Sequence, residues 1–118
     1  MKCLSVKQPW ASLIASGRKT VELRSWDTRY RGPIIICASA RPHLGTSHAL
    51  GPLGVTTCLV NLVDVRPCQP GDSHLWEPGP RDLAWVLELV RPLPPVPVSG
   101  RLSLWAPSAE LLAELGLE

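Results

Sequence analysis

Apolar residues recur along the chain with two different spacings, and these spacings predict its elements. Trp10, Leu13 and Ile14 stand at i, i+3 and i+4, which places them on one face of a short helix. Gly17 suits the end of that helix, because glycine readily adopts the left-handed conformation of a helix cap. The chain is therefore expected to open with a strand over residues 3–6 and then a helix.

The residues after Gly17 alternate in the manner of a half-buried strand. Val21 and Leu23 are expected on its buried face, and Glu22 and Arg24 on the opposite face. Four later segments have strand-like composition, and a closing helix follows them at 107–115. The four segments are 33–38, 54–66, 83–91 and 102–105.

Prolines and glycines separate these apolar runs. The chain holds 13 prolines and 9 glycines, which favours short elements joined by tight turns and disfavours a helical bundle. Residues 41–53 and 67–80 are expected to be loops. With five or six strands and few helices, the pattern predicts a mainly β fold of the α+β class, a barrel with a helix after the first strand and a C-terminal helix. One domain is expected over residues 1–118.

The composition bears on localisation and on the cysteines. No stretch approaches the roughly 18 apolar residues of a membrane helix, and the N-terminus lacks a signal-peptide core, so we expect a cytoplasmic protein with no membrane partner. The four cysteines have neither CxxC spacing nor the density of a disulfide scaffold. They are expected to be free thiols, most of them buried: Cys3, Cys37, Cys58 and Cys68.

Motifs for several kinds of chemistry are missing from the sequence. His43, His48 and His74 lie in loop-like segments without the spacing of metal ligands, so we assign no metal and no cofactor. There is no nucleophile elbow and no glycine-rich phosphate loop, which argues against a triad hydrolase and an NTPase.

Basic residues are concentrated near the N-terminus. Residues 1–31 carry seven lysines and arginines against two acids, whereas residues 32–118 carry five against eight. Clustered cations suit an anionic partner, although a solvated basic surface would give the same pattern.

Five segments together resemble the ASCH family, which belongs to the PUA-like superfamily. The first two are residues 4–14 (LSVKQPWASLI) and 17–26 (GRKTVELRSW), and the second contains a G-x-K-x-x-E-x-R core. The other three follow in order: 31–36 (RGPIII), 84–88 (AWVLE) and 100–105 (GRLSLW). Together they span most of the chain, which is similar to the small stand-alone, bacterial-type members.

The resemblance implies a PUA-like β-barrel of five or six strands with a cleft beside the first helix, and an RNA or nucleotide-like ligand. Some members resemble RNA-binding or coactivator domains, whereas others are hydrolases, including an acetylated-cytidine amidohydrolase and a ribonuclease. Eight residues are candidates for ligand binding: Lys7, Gln8, Trp10, Lys19, Glu22, Arg24, Trp26 and Trp85.

These residue types suit a nucleotide. Lysine and arginine at positions 7, 19 and 24 can hold phosphates, and a tryptophan can stack on a base for roughly 1–3 kcal/mol. Glu22 can accept a hydrogen bond from an exocyclic amine. The same residues also have ordinary structural interpretations, because Trp10 can face the core, and Glu22 and Arg24 can pair on a solvated surface.

Two functions remain open, a binding module and a small hydrolase acting on acylated cytidine or RNA. In the amidohydrolase members a lysine in the turn works with a threonine on the next strand and a distant glutamate. Lys19 matches the lysine, but Glu22 occupies the threonine position. A carboxylate is a poor nucleophile in place of a hydroxyl, though it can act as a general base to water. Lys19 and Glu22 are the catalytic candidates if the protein is an enzyme.

Overall fold

The computed structural model describes residues 1–41, 51–72 and 81–117. It contains six strands and two helices in the order β1 (Lys2–Val6), α1 (Trp10–Ala15), β2 (Val21–Arg24), β3 (Gly32–Ala38), β4 (Thr56–Pro67), β5 (Leu83–Pro92), β6 (Leu104–Trp105) and α2 (Ala109–Leu115). The mainly β architecture with a helix after the first strand and another at the C-terminus is confirmed.

All six strands belong to one curled sheet that resembles half a barrel. Its order is β2-β5-β4-β3-β1-β6, so β2 and β6 lie at its two edges. Only β1 and β3 run parallel, and the other neighbours are antiparallel. The long strands β4 and β5 pair along most of their length, with register shifts that curve the sheet.

The sheet is covered on both faces around β3, and alternation along this strand assigns its residues to two clusters. Ile34 and Ile36 of β3 face a core covered by α1, together with Trp85 of β5. Ile35 and Cys37 face the other cluster, which α2 covers through Leu111 and Leu115. A strand buried on both faces reads as a continuous apolar run, which is how residues 33–38 appear in the sequence.

The burial expected for β2 is wrong. Glu22 is the buried residue of this strand, with 8% of its surface exposed, whereas Val21 and Leu23 are half-buried. The physical reason is that two cations surround the Glu22 carboxylate and replace the water that it loses.

The four cysteines are free, as expected, and Cys3, Cys37 and Cys58 are buried while Cys68 is half-buried. Burial raises the pKa of the Cys58 thiol to about 11.

Among the described residues, no helix has the length and apolar character to span a membrane. The three histidines and Trp76 lie outside the described residues.

Candidate functional site

A cleft of about 350 Å³ lies beside the start of α1, between β2 and β1 of the curled sheet. This volume is at the lower end of the range for small-molecule sites. The lining comes from β1, the first residue of α1, the turns on either side of α1, β2, the segment after β3 and the segment before β6. They are Ser5, Lys7, Trp10, Lys19, Glu22, Leu23, Arg24, Ser39, Arg101, Leu102 and Ser103.

The parallel pairing of β1 and β3 brings distant residues to one end of the cleft. The carboxyl ends of parallel strands meet at the same edge of a sheet, and here Val6 lies opposite Ala38. The amide of Ser39 donates to the carbonyl of Val6 at 2.9 Å. Lys7 and Ser39, which follow the two strands, therefore reach the same cleft.

A tight turn carries Lys19 from α1 to the cleft. Gly17 has φ +79°, a left-handed conformation that closes the helix, and the amide of Lys19 donates to the carbonyl of Leu13 at 3.0 Å. The carbonyl of Thr20 then accepts from the amide of Leu87 at 2.8 Å, which joins the turn to β5. Lys19 has only 5% of its surface exposed.

The carboxylate of Glu22 is the centre of the charged cluster. Its Oε2 accepts a hydrogen bond from Nε of Arg24 at 3.1 Å and lies 3.0 Å from Nη2 of the same side chain. Its Oε1 lies 3.7 Å from Nζ of Lys19. Arg24 also donates through Nη2 to the carbonyl of Ser5 at 2.6 Å, which fixes its guanidinium between β2 and β1.

Burial governs the protonation of Lys19. The pKa of its ammonium is lowered from the ordinary 10.5 because desolvation outweighs the attraction of the Glu22 carboxylate, and the positive charge of Arg24 lowers it further. A lysine with a lowered pKa next to a carboxylate in a cleft is characteristic of functional sites. The cluster can therefore bind an anion or take part in proton transfer.

Five of the predicted site residues meet in this cleft: Lys7, Trp10, Lys19, Glu22 and Arg24. Lys7 is exposed at its rim, and Trp10 is half-buried.

The other three predicted residues lie elsewhere. Gln8 is buried, where its Nε2 donates to the carbonyl of Pro52 at 2.8 Å and its Oε1 accepts from the amide of Ser12 at 3.0 Å. Trp85 is fully buried, and its ring meets that of Trp26 edge to face with 4.7 Å between centroids. Its Nε1 donates to the carbonyl of Trp26 at 3.3 Å. Trp85 therefore lies in the core, and Trp26 is half-buried and packs against it.

Six lining residues were not assigned a role from the sequence: Ser5, Leu23, Ser39, Arg101, Leu102 and Ser103. The segment 101–103 carries a signal that sequence reasoning could have used, since it lies within one of the five segments quoted for the resemblance. Ser103 has φ +62°, which is uncommon for a residue other than glycine and is typical of functional segments.

Comparisons with known proteins agree with this architecture. The sequence model of the family described as the ASCH domain matches residues 4–96. Activating signal cointegrator 1 of Homo sapiens is 59% identical over 39 residues, and the same protein of Mus musculus is 54% identical over 39 residues. Each match covers 33% of this chain and only 7% of the relative's length.

Proposed function

Because the chain belongs to the ASCH domain family, we propose that its cleft binds RNA or a nucleotide-like ligand. The observation that carries this proposal is the charge of the lining, in which four cationic side chains accompany the single carboxylate of Glu22. Two of them, Lys7 and Arg101, are exposed and form no ion pair with the described residues. Phosphate groups suit such cations, and these contacts supply most sequence-independent affinity for nucleic acids.

The remaining lining residues suit a base. Trp10 lines the cleft and offers an indole on which a planar ring can stack, for roughly 1–3 kcal/mol per base. Arg24 occupies Oε2 of Glu22, while Oε1 lies 3.7 Å from Nζ of Lys19. That oxygen can accept a hydrogen bond from an exocyclic amine of the bound base.

The test is a fluorescence-anisotropy titration with single-stranded RNA over a range of salt concentrations. Affinity is expected to fall steeply with added salt, because binding releases counterions from the phosphates. Arg101→Ala should weaken binding and make the slope of log affinity against log salt shallower by about 0.7. Arg29→Ala is the matched control, since Arg29 is exposed but does not line the cleft. Salt-independent binding, or no binding, would count against the proposal.

A small hydrolase is the second candidate, and the lowered pKa of Lys19 favours it. A lowered pKa leaves a larger fraction of the amine neutral and able to accept a proton, and Glu22 can orient or activate a water beside it. Chromatography of an acylated cytidine and an RNA oligomer after incubation tests this candidate. If it is correct, Lys19→Ala and Glu22→Gln reduce turnover by roughly 100- to 10,000-fold while the ligand still binds. Absence of turnover by the wild type across these substrates excludes them as substrates.

A further inference from the structure

A second compartment adjoins the cleft, and we propose that it takes the next unit of a single-stranded nucleic acid, so that the ligand is an oligonucleotide rather than one nucleotide. This inference rests on the proposed function of the cleft. The compartment has a volume of about 400 Å³. It adjoins the cleft, because four residues line both spaces: Ser5, Ser39, Arg101 and Leu102.

The charge of the second compartment suits a further phosphate. Arg41 lines only the second compartment, whereas Arg101 lines both the compartment and the cleft. Both arginines are exposed, and neither forms an ion pair within the described parts of the chain. No carboxylate is among the residues that line the compartment. Each added nucleotide brings one more negative charge, and Arg41 and Arg101 provide cations for two successive phosphates.

The shared wall between the spaces suits the apolar parts of a nucleotide. Leu102 is 95% exposed although it is a large apolar residue, and it faces both compartments. Its side chain can cover a ribose or the edge of a base where the strand passes from one space to the next. Burial of that apolar surface on binding is favourable.

Gly100 lines the second compartment beside Ser5, which lines both spaces. A Cβ at this position would lie 2.6 Å from Oγ of Ser5, too close for an unshifted contact. That oxygen is buried and has no hydrogen-bond partner among the described residues. The next atom of Ser5, its Cβ, would lie at 3.8 Å, which is ordinary van der Waals distance. Any side chain at position 100 therefore crowds the Ser5 hydroxyl at the junction of the two spaces.

Isothermal titration calorimetry with 5′-phosphorylated mono-, di- and trinucleotides, in a uridine and an adenosine series, tests the inference. The wild type should bind the dinucleotide at least roughly tenfold more tightly than the mononucleotide, as expected for one added charge-assisted contact. The readout for variants is this ratio of affinities. Arg41→Ala should reduce the ratio to near one, and Arg29→Ala should keep it at the wild-type value.

A second pair of variants tests the junction independently of charge. Gly100→Ala should also reduce the ratio, and Ser5→Ala combined with Gly100→Ala should restore it, with circular dichroism as the check that each variant folds. A wild type that binds mono- and dinucleotides equally would overturn this inference and leave the proposed function standing. A wild type that binds none of the probes would overturn both. If Arg41→Ala keeps the wild-type ratio of dinucleotide to mononucleotide affinity, Arg41 does not bind the second nucleotide.

Discussion

Glu22 and Asp72 are both buried acids that form an ion pair with an arginine, but the electrostatics of the two pairs differ. Asp72 accepts hydrogen bonds from both terminal nitrogens of Arg66, at 2.8 and 3.1 Å, and from the amide of Gln69 at 2.6 Å. All its hydrogen-bond partners lie within six residues along the chain. The guanidinium of Arg66 lowers the pKa of Asp72, so this contact stabilises the charged form of the acid.

The cleft cluster, formed by Lys19, Glu22 and Arg24, differs from this pair in the pKa of its second cation, Lys19. Glu22 has Arg24 on one oxygen and Lys19 beside the other, and the pKa of Lys19 is lowered because burial outweighs the carboxylate. Folding therefore disfavours the charged lysine instead of stabilising it. The comparison teaches that two buried acids with an arginine partner can differ in electrostatics, since only the cleft holds a cation whose charged form is disfavoured by burial.

Removing the acid at position 22 should have the largest effect on stability. Glu22→Gln keeps the shape of the side chain but leaves Lys19 and Arg24 facing each other without a counter-charge. Breaking a buried ion pair in this way is expected to lower the free energy of unfolding by about 3 kcal/mol. Urea denaturation at neutral pH measures it. A change below about 0.5 kcal/mol would mean that the cluster behaves like an exposed ion pair.

Removing the acid at position 72 should have a smaller effect that depends on pH. Because the folded pKa of Asp72 lies below the ordinary 3.8, its stabilisation is present above that pH and is lost as the pH falls through the folded value. Asp72→Asn should therefore be less stable than wild type at neutral pH, and the difference should shrink on acidification. Denaturation midpoints at neutral pH and at about pH 2 measure the trend. A difference that is constant with pH would contradict it.

The fold could be predicted from the sequence to a greater extent than the site. Residues 33–38 and 83–91 carry apolar runs of strand length, and the observed strands Gly32–Ala38 and Leu83–Pro92 agree closely with them. The local pattern is sufficient for residues 33–38 because both faces of that strand are covered, and residues 84–87 of β5 are also largely buried. It was misleading for β2, where the burial of Glu22 depends on cations rather than on apolar neighbours.

The lining of the cleft depends on long-range contacts that periodicity does not report. Arg101 lies far along the chain from Lys19, yet both line the same space. Trp85 appeared suitable for stacking by its residue type, but the hydrogen bond to the Trp26 carbonyl and full burial place it in the core. Lys19 and Glu22 could be selected because the turn and strand that carry them are local features of the G-x-K-x-x-E-x-R core.

The pKa of Lys19 in the folded protein tests most directly whether burial of the cleft cluster disfavours the charged lysine. Nuclear magnetic resonance of the lysine side chains, assigned with Lys19→Ala, can follow its titration in the free protein. The wild-type pKa should lie below the ordinary 10.5, and Glu22→Gln should lower it further, because the carboxylate raises it in the wild type. A wild-type pKa at or above 10.5 would contradict the account, since Glu22 would then stabilise the charged lysine as Arg66 stabilises Asp72.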